Sequence, residues 1–198
     1  MLAASLLAAI SVSASQLNYV SNGDFESPTV APQDQIVFDP GDPLQGWSVY
    51  DGQVSLFNSL SPYKPIEKFQ SLVIGHGSIF QSFSTKPGTS YSLSFDVSSG
   101  DDSPFALQFG VEDPIGPLIY GLVFGNEKAP NRVSYEFNFS AESDGAYVIF
   151  GSVPGYGSTI LDNVSITSSL EIPESHYGIW FWAVLVIAFS VWFVSRSK

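Results

Sequence analysis

SYSLSFDVS, residues 90–98, alternates without interruption: Tyr91, Leu93, Phe95 and Val97 fall on one side of an extended chain and serines on the other. Successive side chains of a strand point to opposite faces, so the stretch reads as a strand with one buried face. Just before it, KPGT (residues 86–89) has the chemistry of a turn, Pro87 fixing φ and Gly88 able to take positive φ. RVSYEFNFSA (residues 132–141) repeats the alternation through Val133, Tyr135, Phe137 and Phe139.

Outward from these two runs, Leu17 to Thr167 shows no sustained helical periodicity, and short apolar runs are punctuated by glycine, proline, asparagine and aspartate. Further strands are predicted around Trp47–Val49, Val54–Asn58, Gln70–Ile74, Ile79–Ser84, Phe105–Val111, Leu118–Phe124, Ala146–Ser152 and Thr159–Thr167. About ten strands at this spacing predict an all-β, two-sheet sandwich of jelly-roll type. Two stretches read as long rim loops, Ser27 to Gly46 and Ser59 to Phe69, and such loops are where function concentrates.

The ends have a different character. MLAASLLAAISVSASQ is apolar and rich in small residues, with Val12-Ser13-Ala14 resembling a signal-peptidase site, so residues 1–15 read as a signal peptide. Gly178 to Val194 carries no charge over 17 residues, enough for a helix of roughly 26 Å across a bilayer core. Trp180, Trp182 and Trp192 suit the interfacial belts, and Arg196 with Lys198 suits the cytoplasmic side. The chain thus divides into signal peptide (1–15), sandwich (16–167), linker (168–176) and transmembrane helix with basic tail (177–198). The sandwich is expected outside the cell, anchored in the membrane.

Composition excludes several functions. A net charge of -12 lacks the basic patch that nucleic-acid binding requires. With no cysteine, disulfides, thiolate metal sites and cysteine nucleophiles are absent. The two histidines, His76 and His176, are not spaced for zinc, and His76 between glycines reads as part of a turn. There is no Gly-x-Ser-x-Gly elbow and no phosphate loop, so the chain reads as a non-enzyme. Paired carboxylates for glycoside hydrolysis stay open as a third class, since an acidic β domain offers many.

STILDNVSI (residues 158–166) holds the most informative residue. Strict alternation would put Asp162 on the face of Ile160, Val164 and Ile166, where a carboxylate needs a donor, a cation or a metal. Glu26 and Asp24 in the opening SNGDFESP can supply further oxygens, and calcium favours six to eight of them. Alternatively, Asp162 and Asn163 form a turn or edge bulge facing solvent.

Two resemblances bear on these blocks. NGDFE, GWSV, GSIFQSFSTKPGTSYSLSF and LDNVSI, in that order, resemble the galactose-binding-like jelly roll of carbohydrate-binding modules, and most closely the choice-of-anchor C proteins and a related family of plant cell-wall proteins. The resemblance implies a structural calcium on Glu26 and Asp162, with Asp24 as a further ligand. Pro173-Glu174 followed by an apolar helix and a basic end resembles the PEP-CTERM sorting signal, which implies processing by an exosortase-like enzyme; Ser175 stands where that motif has its second proline.

For sugar binding, aromatic rings near turn signals are the candidates: Tyr50, Tyr63, Phe69 and Tyr156. Trp47 reads as core. The expected function is an exported, calcium-stabilised module binding polysaccharide in the cell envelope or extracellular matrix, released to the outer surface if the tail is cut. The alternative is a structural or adhesive surface protein with protein partners and no glycan.

Overall fold

The computed structural model describes residues 17–58, 66, 69–101, 103–125 and 132–168. The expected signal peptide, sorting motif (Pro173, Glu174, Ser175), transmembrane helix and His176 lie outside the described residues, as does Tyr63. Among the described residues no helix is long and apolar enough to cross a membrane.

Twelve strands follow one another: β1 (Gln35–Phe38), β2 (Pro43–Leu44), β3 (Trp47–Asp51), β4 (Val54–Asn58), β5 (Gln70–Ile74), β6 (Ser78–Ser84), β7 (Ser90–Ser99), β8 (Phe105–Asp113), β9 (Gly116–Gly125), β10 (Val133–Ser140), β11 (Gly145–Ser152) and β12 (Thr159–Ser168). They form two six-stranded sheets, ordered β1-β4-β5-β12-β7-β10 and β2-β3-β6-β11-β8-β9. This is the all-β sandwich predicted, with a layout consistent with a jelly roll. All ten predicted strands are present, but the stretch read as a loop from Ser27 to Gly46 holds β1 and β2. Both are short edge strands, of four and two residues, whose pattern is cut by Pro40, Pro43 and aspartates.

The inner faces interdigitate as the alternation demands. Leu93, Phe95 and Val97 of β7 are buried in the core, where Phe95 packs against Phe109 and Phe150 of the other sheet, edge-on to Phe150 at 5.0 Å between centroids. Trp47 is core, as expected, packed between Phe25 and Phe150, and its indole N–H donates to the Asn22 carbonyl at 3.1 Å.

The opening segment and the last strand meet. Tyr19 N–H donates to Ile166 O, Ile166 N–H to Asn18 Oδ1, and Val164 N–H to Gly23 O. At Gly23 the approach leaves no room for a side chain, since a Cβ there would stand 1.9 Å from Val164 O. Opposite this contact β12 breaks register: Asn163 takes a left-handed φ of 50°, and the pairing with β7 shifts between Asp162 and Ser165.

The bulge overturns the expected face of Asp162. Leu161, Val164 and Ile166 enter the main core, whereas Ile160 joins Phe57 and Val73 in a separate cluster with Ile66 packed on it. Asp162 therefore keeps Ile160 as a neighbour on its face but not Val164 or Ile166, because one extra residue reverses the alternation beyond Asn163. Nor is this an edge bulge facing solvent: β12 is flanked by β5 and β7, and Asp162 is 1% exposed.

Gly23→Ala is expected to destabilise the sandwich by about 1–3 kcal/mol through overpacking against the β12 backbone. Thermal unfolding of the variant checks this, and an unchanged melting temperature would contradict the close approach.

Candidate functional site

The three residues assigned to a metal come from two places. Glu26 Oε1 accepts from the N–H groups of Phe69 (3.1 Å) and Gln70 (3.2 Å), at the start of β5. On the next residue of that strand, Ser71 Oγ donates to Asp162 Oδ2 at 2.7 Å, while Asp162 Oδ1 accepts from the Asn163 N–H at 2.7 Å. Glu26 and Asp162 are thus brought to consecutive residues of β5. Asp24, half-buried, lies in the same opening segment two residues before Glu26. Among the described residues no three acidic or histidine side chains converge as a metal centre.

Asp162 has a second acidic neighbour. Asp96 of β7 is its direct cross-strand partner and is also buried, at 3% exposure. Asp96 is compensated by the Arg132 guanidinium at 2.7 Å, by Asn163 Nδ2 at 2.8 Å and by the Ser134 hydroxyl. The bulged Asn163 therefore touches both carboxylates, one through its backbone and one through its side chain.

The predicted sugar-stacking residues divide. Phe69 is exposed but stands at the Glu26 end of β5. Tyr50, 68% exposed, lies on the outer face of the β2-β3-β6-β11-β8-β9 sheet, and Tyr156 packs against Phe124 at 5.7 Å at the β9 edge of the same sheet. Between them sequence reasoning missed a continuous platform. Phe80 stands 6.3 Å from Tyr50 and 6.4 Å from Tyr147, measured between ring centroids. The register carries it onward: Ile149 opposes Phe80 and Gly110, and Gly110 opposes Tyr120. Tyr120, Leu122 and Phe124 of β9 are all exposed. One signal was legible: in GPLIYGLVFG (residues 116–125) apolar residues occupy both alternating sets, so the face turned away from the core is apolar as well.

Beside Tyr50 the platform sinks into a cleft of about 340 Å³ whose polar lining includes Asp51, His76, Ser78, Gln108 and Ser152. Its floor is low because Gly151 presents no side chain beside Ser78 and Gln108. Its rim is set by Gly52, where φ is +57° and a Cβ would stand 1.9 Å from His76 O, so the two turns press together. Asp51 Oδ1 accepts from the Ser78 hydroxyl at 2.6 Å. Further along the face, Tyr147 donates to Glu112 Oε2 at 2.7 Å. That hydrogen bond, with burial and the charge of Glu112 adding to it, raises the Tyr147 hydroxyl above the usual phenol range.

At the end of β8, Asp113 Oδ1 accepts from the N–H groups of Ile115 (2.9 Å) and Gly116 (3.2 Å), and Oδ2 from that of Glu142 (3.3 Å). Burial pushes this carboxyl up, but the three N–H groups and the Ser143 hydroxyl outweigh it and hold it below the ordinary carboxylate range.

The fold places this chain among two-sheet β-sandwich modules. The family model for DUF642, described as a protein of unknown function, matches residues 18–167, and the chain belongs to that family. No curated protein matches it. Among solved structures, a Stig cyclase, Fisc of Fischerella sp. TAU, is similar at 14% identity and a TM-score of 0.59 over 77% of this chain and 96% of that one. TmCBM61 in complex with β-1,4-galactotriose is similar at 13% identity and a TM-score of 0.50 over 77% and 99%. The MgGH51 α-L-arabinofuranosidase is similar at 13% identity and 0.52 over 76% of this chain and 26% of that one. At such identities the likeness concerns the fold alone.

Because Asp113 holds its proton less readily folded than unfolded, its contribution to stability is present above the unfolded value of about 3.9 and is lost as pH falls through the lower folded value. Asp113→Asn is expected to lower stability at neutral pH and to flatten the acid limb of the stability profile. Urea unfolding from pH 7 to below pH 4 checks this; parallel profiles would contradict it.

Proposed function

We propose that this chain is an exported, non-catalytic module that binds polysaccharide across the outer face of the β2-β3-β6-β11-β8-β9 sheet. The observation that carries this is the contrast between this face and the outer positions of β7 and β10 on the other sheet. On β7 and β10 of the other sheet the outward positions are Ser92, Ser94, Ser134, Glu136 and Asn138, an ordinary solvated surface. The opposite face instead lines up Tyr50, Phe80, Tyr147, Tyr120 and Phe124 beside the hydroxyl, amide and carboxylate groups of the cleft. Rings stack on the apolar faces of sugars while such polar groups take their hydroxyls. A sandwich of this fold solved with a galactotriose lends further support. The same fold in a Stig cyclase means that the fold by itself assigns no function.

A calcium ion held by Glu26 and Asp162 would tie the opening segment to β5 and β12, the staple that a cysteine-free chain lacks; backbone carbonyls would have to complete its six to eight oxygens. Export through residues 1–15, anchoring by 177–198 and removal of the tail by an exosortase-like enzyme after Pro173-Glu174 complete the proposal. The outer surface or matrix is its destination.

Affinity electrophoresis through gels containing neutral and acidic polysaccharides is expected to retard the protein selectively. Tyr50→Ala and Tyr147→Ala are each expected to weaken binding roughly two- to tenfold, the worth of one aromatic contact, with the circular dichroism spectrum unchanged. Uniform mobility in every gel would reject glycan binding and favour a structural or adhesive role with protein partners. For the metal, chelation is expected to lower the melting temperature of the wild type but not of Asp162→Ala; identical melts of the wild type with and without chelator would dismiss calcium.

A further inference from the structure

We propose that β9 is the pairing edge for a second copy of this chain, two β9 strands meeting antiparallel about Leu122. Among the described residues β9 has a hydrogen-bonded neighbour on one side only, β8. Protein edges of this kind are usually blunted by shortness, charge or a bulge. The other three edges obey that rule: β1 has four residues, β2 has two with a proline, and β10 carries Glu136. β9 runs for ten residues, GPLIYGLVFG, with no charge; its only proline, Pro117, and a bulge at Leu118 lie at its first end, and from Ile119 to Gly125 the strand pairs in regular register.

Three observations select a second copy as the occupant. The chain carries a net charge of -12, so close approach of two copies is least opposed along an edge free of carboxylates, and β9 is the long edge that meets this condition. The strand is also self-complementary under a twofold axis: with Leu122 facing its own counterpart, Tyr120 falls opposite the second copy's Phe124, and Gly121 opposite Val123. Aromatic rings would then pair across the junction, a favourable cross-strand arrangement. Finally, Tyr120, Leu122 and Phe124 are 58%, 45% and 52% exposed on the same outer face as Phe80 and Tyr147, so pairing would continue that aromatic face from one copy into the next. The dimer does not depend on glycan binding and is tested without any sugar.

Because the chain has no cysteine, a single introduced thiol reports on one position. In the full-length chain in detergent, Leu122→Cys is expected to form a disulfide-linked dimer under mild oxidation, since directly opposed strand residues fall within the Cα separation a disulfide needs. A mixture of Tyr120→Cys with Phe124→Cys should cross-link more than either alone, whereas Tyr50→Cys, exposed elsewhere on the face, should not cross-link. Leu122→Lys, at a half-exposed edge position, is expected to halve the protein mass measured by light scattering while leaving the circular dichroism spectrum intact. Cross-linking of Leu122→Cys no greater than that of Tyr50→Cys, or an unchanged mass for a folded Leu122→Lys, would overturn the proposal and leave β9 to a different partner. If Leu122→Lys fails to fold, the cysteine comparison alone decides.

Discussion

The sandwich depends on how its last strand is held at the bulge of β12. There the backbone of Val164 is gripped by Gly23, Asn163 turns into the left-handed region, and Asp162 is driven into a buried position beside Ser71 and Asp96. A fold without disulfides must join its termini by packing and hydrogen bonds, and this is where it does so. The extra residue also divides β12 between two environments: beyond Asn163 its apolar residues feed the main core, while before it Ile160 feeds the small cluster under Ile66. Two buried carboxylates at one junction would be costly if unpaired. Arg132, Asn163, Ser134 and Ser71 compensate them, which makes the junction specific as well as tight.

Most of the ten principal strands were legible through the alternation that burial of one face imprints, whereas β5, buried at every residue, shows only as a short apolar run. β1 and β2 were not, since strands of four and two residues at a sheet edge leave almost no periodic trace. Asp162 shows a subtler limit. The Asx pair Asp162-Asn163 left a solvent-facing edge bulge open as the alternative reading, but a bulge has no hydrophobic signature, so its place inside a central strand, with Asp162 buried, shows only in the strand order and the positive φ of Asn163. The meeting of the NGDFE and LDNVSI blocks, by contrast, was expected from their resemblance to carbohydrate-binding modules and is realised by backbone bonds of Tyr19 and Gly23 and by the Asn18 side chain.

Candidate ligand residues were legible only in part, for a related reason. Position near a turn suggested Tyr50 and Tyr156, and both lie on the platform side, but the same criterion selected Phe69, which serves the Glu26 end of β5. Phe80, Tyr120 and Tyr147 sit in mid-strand, where an aromatic residue is ordinarily core. The strands of Tyr120 and Tyr147 carry apolar residues on both faces, whereas Phe80 shares its face with serines, and deciding which face is inward requires knowing what the opposite sheet covers. That information resides in strand order, with β6, β11 and β8 side by side, and strand order is set by contacts remote in sequence.

The carboxylates of the platform bear on what this face can do. Glu112 is bonded to the Tyr147 hydroxyl and Asp51 to Ser78, each a neighbour on an adjoining strand, so each is held as an oriented hydrogen-bonding group. General acid-base cleavage of a glycoside needs two carboxyl groups facing each other across the scissile bond, with pKa values driven apart. Here the Tyr147 hydroxyl donates to Glu112, giving an oriented hydroxyl–carboxylate pair beside exposed aromatic rings. Since the fold accommodates a cyclase as readily as a sugar-binding module, the chemistry of this one face, and not the architecture beneath it, has to decide between them.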